Sequence, residues 1–175
     1  ASTAHRTVPG WAFGLPELAP GQRDALRASK RIANPGCHAS AFILLLRPLV
    51  DAGLVPADAL ISATSITGYS GGGKKMIEQY EAGGDPRLSA PRPYALGLAH
   101  KHLPEMRALT GLQAVPTFMP IVASFYKGLA VSVPLHLSQL SAGTRGATLR
   151  EALAERYAGE AFIRVMPLSD PATLE

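Results

Sequence analysis

From Ala39 to Val50 the chain reads Ala-Ser-Ala-Phe-Ile-Leu-Leu-Leu-Arg-Pro-Leu-Val, with Arg47 its one charge. A segment apolar on nearly every side cannot lie on a surface. The helix predicted from about His38 to Val50 must therefore sit inside a core that the rest of the chain wraps. Asp51-Ala52-Gly53 supplies a glycine stop. Upstream, Asn34-Pro35-Gly36 breaks regular structure between a short apolar strand, Arg31 to Asn34, and this helix. The lone cysteine, Cys37, thus falls at the first turn of a buried helix, where free N–H groups and the positive end of the helix dipole favour thiolate over thiol. A cysteine placed only for packing has no use for Asn-Pro-Gly immediately before it.

A core of that kind fits a chain of 175 residues folded as one compact domain. The longest apolar stretches, Ala41 to Leu46 and Gly128 to Leu137, are far shorter than the roughly 20 residues a bilayer requires, so no membrane partner is expected. The net charge of +4 is spread along the chain, densest at Arg23, Arg27, Lys30 and Arg31. No aromatic-interleaved basic motif accompanies it, and nucleic acid is not an expected partner. One cysteine excludes an internal disulfide framework and suits a reducing, cytoplasmic compartment. The start, Ala1-Ser2-Thr3-Ala4-His5-Arg6, has neither an initiator Met nor the apolar core of a signal peptide and reads as processed or excised.

Around the buried helix the pattern alternates irregularly. Residues 1 to 20 read as an irregular lead-in anchored by Trp11 and Phe13, and Pro20 to Lys30 as a helix. A β-branched strand is predicted over Ala59 to Thr67, then a glycine-rich loop over Gly68 to Lys75 and a short helix over Met76 to Ala82. Tyr94 to Ala99 reads as a strand, and the segment from His100 leads into a helix ending at Leu109. Ala114 to Ile121 and Phe125 to Leu137 read as two strands joined by a short turn. Thr148 to Tyr157 reads as an amphipathic helix capped by Thr144 or Thr148, and Ala161 to Met166 as a last strand. Without a regular βαβ rhythm, the expectation is an α+β domain: a mixed, largely antiparallel sheet with helices packed on one face.

A cysteine nucleophile needs a proton-transfer partner, and His100-Lys101-His102 offers two imidazoles on one side of an extended chain. Metal binding would need further ligands, and only His5, His38 and His136 remain; no metal is expected. The loop Gly68-Tyr69-Ser70-Gly71-Gly72-Gly73-Lys74-Lys75 can close on an anion. It is not a P-loop, because Lys75 stands where a hydroxyl residue must follow Gly73-Lys74. Phe13-Gly14-Leu15-Pro16-Glu17-Leu18 is an apolar turn carrying one carboxylate.

These four features in this order resemble the N-acetyl-gamma-glutamyl-phosphate reductases, in particular their shorter variant. The residues that carry the resemblance are Phe13 to Leu18, Ala33-Asn34-Pro35-Gly36-Cys37 with the apolar run to Pro48, Thr67 to Lys74, and His100-Lys101-His102-Leu103-Pro104-Glu105-Met106. His38 and Ser40 stand where that family commonly has an aromatic and a threonine. The family resembles aspartate-semialdehyde dehydrogenase in having an N-terminal NADP-binding Rossmann domain, and no Gly-x-Gly-x-x-Gly after a strand occurs here. The resemblance thus implies a catalytic and dimerisation domain alone, residues 1–175, with a semialdehyde-dehydrogenase-like fold and the Rossmann domain absent from this chain.

The resemblance also implies a chemistry. The substrate would be N-acetyl-gamma-glutamyl phosphate, reduced by NADPH to N-acetylglutamate semialdehyde and phosphate in arginine biosynthesis, in a homodimer or tetramer. Cys37 would form a thioester and one of His100 and His102 would shuttle the proton. Ser70, Gly71 and Gly72 would cradle phosphate or the nicotinamide edge, Lys74 would supply counter-charge, Glu17 and Asn34 would contact substrate, and Gly36 would adjoin the cofactor. Two other readings share parts of this pattern: a cofactor-independent cysteine hydrolase or acyltransferase, and a non-catalytic dimerisation module.

Overall fold

A computed structural model describes residues 3–168; residues 1–2 of the expected lead-in and 169–175 of the expected domain lie outside the described residues. In chain order the elements are β1 (Ala12–Phe13), α1 (Gln22–Ala28), β2 (Ile32–Ala33), α2 (Cys37–Asp51), β3 (Ser62–Gly68), α3 (Lys74–Glu81), β4 (Arg92–Pro93), α4 (Leu103–Thr110), β5 (Thr117–Ala123), β6 (Leu129–Ser132) and α5 (Gly146–Arg156). The apolar run forms α2 as its composition demands. Ala39, Phe42, Ile43 and Leu46 are buried to within 1 % of completely, and α2 packs against α4 and α5. Gly53, at φ 68°, sits just past its end and takes the left-handed conformation that a glycine stop requires.

The four-stranded sheet runs β4-β5-β3-β6. It is mixed. β3 pairs parallel with β5 from Ser62↔Thr117 to Gly68↔Ala123, while the β3–β6 and β4–β5 pairings are antiparallel. β1 and β2 form a separate parallel pair. Alternation divides the sheet into two faces: Ala63, Ser65, Thr67, Phe118, Pro120 and Val122 point inward and are buried. Ile66 and Met119, on the other face, remain 41 % and 42 % exposed. Among the described residues no helix is long and apolar enough to cross a membrane.

Several sequence expectations are corrected. β5 and β6 are not neighbours, because β3 runs between them. The connection after β5 instead crosses the end of β3. There, a Cβ on Gly68 would lie 2.7 Å from the Tyr126 carbonyl oxygen and 2.8 Å from the Phe125 carbonyl oxygen, so the crossing needs glycine. Tyr94 to Ala99 is a turn; Ala95 and Leu98 adopt φ 52° and 53°, which no strand accommodates. Ala161 to Met166 forms no strand, and Phe162 is 90 % exposed. α5 starts behind Arg145 with no side-chain cap from Thr144 or Thr148. In the lead-in Phe13 is buried as expected, whereas Trp11 is 40 % exposed.

Candidate active site

Gly36 is the N-cap of α2 and Cys37 its first residue, exposed at the mouth of a cavity of about 630 Å³. The cavity gathers residues distant in sequence: Arg6, Gly36, Cys37 and His38 from one side, Thr67, Gly71, Gly72 and Met76 from another, and Arg92, Tyr94, His100 and His102 from a third. Ser40 closes the first turn, its N–H and hydroxyl both donating to the Gly36 carbonyl at 2.9 and 3.1 Å.

His102 packs directly on Gly36, the residue before Cys37. A Cβ on Gly36 would overlap the edge of the His102 ring and fall 2.6 Å from Glu105 Oε1. Glu105, 1 % exposed, accepts the Gly36 N–H at 3.2 Å and pairs with Arg6 at 2.7 Å. Arg6 Nε in turn donates to the Asn34 carbonyl at 2.9 Å. The turn that presents Cys37 is therefore tied to α4 by one buried carboxylate. His100 and His102 do not lie in extended chain as expected. They occupy the turn into α4, where the His102 N–H donates to His100 Nδ1 at 3.2 Å and the rings stand 4.6 Å apart.

A third imidazole completes a cluster. His38, 3 % exposed, lies 5.5 Å ring to ring from both His100 and His102. Its Nδ1 bonds Ser65 Oγ at 2.8 Å and its Nε2 bonds the Tyr94 hydroxyl at 3.0 Å. Burial, reinforced by the charges of neighbouring histidines and Lys101, pushes His38 down to about 4 and His102 down to about 3. His100 is lowered by burial and by Lys101. Burial, with the nearby Cys37 charge, raises the Tyr94 phenol. At neutral pH the three rings are uncharged and able to accept a proton.

The structure brings Gly36, Cys37, His100, His102, Gly71 and Gly72 together around one cavity and leaves the other expected site residues off its wall. Glu17 is buried beneath Arg23, to which it is paired at 3.2 Å. Lys74, in the first turn of α3 with its side chain 88 % exposed, faces Glu78 at 3.7 Å. Asn34 is exposed and meets the site through its carbonyl. The N–H of Ser70 donates to the Tyr126 carbonyl at 2.9 Å, and those of Gly68, Tyr69 and Gly73 are likewise bonded within the protein. The loop is also tightly packed: a Cβ on Gly72 would strike Met76, and one on Gly71 would come within 3.3 Å of Thr67 Oγ1. Sequence reasoning missed Arg6, Arg92 and Tyr94. The alternation Arg92-Pro93-Tyr94, two side chains on one side of an extended segment, was the signal available for the last two.

A mixed four-stranded sheet with a buried helix packed on its inner face is a fold of the semialdehyde-dehydrogenase type. Crystal structures of aspartate semialdehyde dehydrogenase II from Vibrio cholerae have this fold, at TM-scores of 0.64 and, for the complex with ASA, 0.66; that complex is 17 % identical and aligns over 88 % of this chain and 51 % of its own. Residues 37–175 match the family described as "Semialdehyde dehydrogenase, dimerisation domain", and the chain belongs to that family. It is 44 % identical over 168 residues to N-acetyl-gamma-glutamyl-phosphate reductase 2 of Pseudomonas putida, and 48 % identical over 161 residues to N-acetyl-gamma-glutamyl-phosphate reductase of Chelativorans sp.. Those alignments cover 96 % and 91 % of this chain but 54 % and 51 % of the relatives, so the chain spans about half the length of the curated relatives it matches.

Proposed function

We propose that this chain is the catalytic and dimerisation part of an NADPH-dependent, cytoplasmic reductase that converts N-acetyl-gamma-glutamyl phosphate to N-acetylglutamate semialdehyde and phosphate in arginine biosynthesis. The observation that carries the reading is Cys37 at the N-terminus of α2, with His102 packed against the adjoining Gly36. The Cys37 thiolate attacks the acyl carbon and the C–O bond to phosphate breaks, leaving a thioester on Sγ. A serine alkoxide would be scarce at neutral pH. His102 or His100, uncharged before reaction, takes the thiol proton and later returns one to the carbonyl oxygen or removes it as the aldehyde leaves.

The cavity wall at Gly36, Gly71 and Gly72 would hold a nicotinamide, which when bound would supply the hydride needed to reach the aldehyde level. The rest of the cofactor's binding surface would belong to a Rossmann domain outside this chain. A second copy of the chain covers the open sheet face around Ile66 and Met119, since parallel pairs such as β3–β5 are ordinarily covered on both sides. The test is Cys37→Ser in the full-length enzyme. Because Cys37 is exposed, stability should stay within about 0.5 kcal/mol, while phosphate-dependent NADP reduction by the semialdehyde is lost. Retention of the unsubstituted rate overturns the proposal, and phosphate-independent discharge of an acyl-Cys37 to water favours a hydrolase instead.

A further inference from the structure

The proposed reaction leaves one imidazole of the cluster unemployed. His38, 3 % exposed, is set between two hydroxyls: Nδ1 lies 2.8 Å from Ser65 Oγ and Nε2 lies 3.0 Å from the Tyr94 hydroxyl. Phe118, His100 and His102 stand against the ring at centroid distances of 5.3, 5.5 and 5.5 Å, so each nitrogen keeps its own partner. Burial pushes His38 down to about 4, and at neutral pH the ring carries a single proton. The serine decides where that proton sits. Ser65 points inward from β3, is fully buried, and among the described residues its hydroxyl has no hydrogen-bond partner other than His38. Were the ring proton on Nδ1, it would be donated to Ser65 Oγ, and the serine's own hydrogen would be buried without an acceptor, a costly state for a donor shut off from water. With the proton on Nε2, Ser65 donates to Nδ1 and every group is satisfied.

A proton on Nε2 makes the Tyr94 oxygen the acceptor of that bond and leaves the phenolic O–H free to donate elsewhere. Tyr94 is half-buried, lines the cavity at whose mouth Cys37 stands, and feels the Cys37 charge. Resting on the reading that the substrate acylates Cys37, we infer that His38 is a positioning residue: backed by the Ser65 hydroxyl, its Nε2–H holds the Tyr94 oxygen from behind and directs the phenolic hydrogen into the cavity, onto an oxygen of the acyl group. With the opposite ring proton the same phenol would spend its hydrogen on His38 and offer the substrate only lone pairs. A donor aimed in advance need not reorient as charge develops on the acyl oxygen, which is how preorganised hydrogen bonds accelerate acyl transfer.

The experiment uses the full-length enzyme and has two arms. In a nitrogen–proton correlation spectrum of the histidine rings, with the His38 signals assigned by their loss in His38→Gln, the ring proton is expected on Nε2 at neutral pH; a proton on Nδ1 overturns the inference. The second arm is phosphate-dependent NADP reduction by the semialdehyde. His38→Leu combined with Ser65→Ala removes both buried polar groups together, so neither is orphaned, and is expected to lower kcat about 10-fold while KM stays within about twofold. Tyr94→Phe should cost at least as much, and adding it to the pair should cost no more than Tyr94→Phe alone. His38→Gln, whose amide N–H can reach the Tyr94 oxygen, should recover most of the rate. Fully additive losses, or no recovery in a His38→Gln enzyme of unchanged Tm, overturn the inference. Absence of phosphate-dependent turnover in the unsubstituted enzyme overturns the reductase reading instead, and the ring-proton arm still decides how Tyr94 is held.

Discussion

Gly36→Ala isolates the contact on which the site is built. Gly36 has φ −78° and ψ 139°, a conformation open to any residue, so the effect of the substitution is steric alone. The new Cβ lands on the His102 ring and 2.6 Å from Glu105 Oε1, and these side chains belong to residues only 4 % and 1 % exposed. Neither can swing into solvent. Overpacking of this kind costs about 1–3 kcal/mol, offset by roughly 0.4–1 kcal/mol from the lower entropy of the unfolded chain. The net loss is about 1–2 kcal/mol, which lowers Tm by roughly 2–8 °C. Catalysis should suffer more, since a shift of about 1 Å between His102 and Cys37 costs on the order of 100-fold. Calorimetry and the phosphate-dependent turnover rate, measured on the same preparation of full-length enzyme, give the two numbers. Gly53→Ala is the control: φ is 68° and nothing lies within 4 Å, so it carries backbone strain with no effect on turnover. Turnover within twofold and an unchanged Tm in Gly36→Ala would refute the packing of His102 on the cysteine turn.

The depressed histidines make stability pH-dependent with a definite sign. His38 and His102 bind protons below pH 4 and pH 3 when folded but near pH 6.5 when unfolded, so the unfolded state holds more protons between those limits and acid destabilises the fold. Urea titrations should show stability falling from pH 6.5 towards pH 4 by up to about 1.4 kcal/mol per pH unit for each histidine, and a flat profile there contradicts their burial as neutral rings. Arg6→Ala should remove the 2.7 Å ion pair from the Glu105 carboxylate beside the turn that carries Cys37. Stability is expected to fall by about 1.5–3 kcal/mol, as for loss of a hydrogen bond to a charged group, and iodoacetamide should label Cys37 more slowly in the fraction that remains folded; unchanged labelling and stability would show that the pair carries no weight.

What could be read from sequence was what local chemistry decides. The Pro-Gly break and the apolar run fix α2 within its own span, so its position and the place of Cys37 follow from neighbours in sequence. β3 is similarly self-declaring through Thr64, Ile66 and Thr67. The misread segments are those whose state depends on a distant partner. Ala161 to Met166 has strand composition but no described strand pairs with it, and Leu96 and Leu98 remain 69 % and 56 % exposed although their run looks fit for a sheet. The order of strands depended on Gly68, whose missing Cβ lets a later turn pass. Lys74 attracted a role because its motif otherwise lines the cavity, and Glu17 because it is the one carboxylate of its apolar turn, none of which reaches the cavity wall. Their ion pairs with Arg23 and Glu78 are tertiary and helical contacts that a motif does not display.

Glu105 explains why the cysteine and histidine segments act as one unit. It stands in the first turn of α4, where a carboxylate is favoured by that helix's dipole, and it accepts the N–H of Gly36 at the start of α2. One buried acid therefore serves two helix N-termini whose sequence positions are 69 residues apart. Alone, its charge would oppose a thiolate at Cys37. The Arg6 guanidinium at 2.7 Å opposes that field. The arrangement fixes His102 against Gly36 through covalent proximity to Glu105 within α4's first turn. The separation of Cys37 from His102 is thus set by the packing of two helices rather than by a mobile loop, and the proposed proton transfer over hydrogen-bond range needs a separation fixed in that way.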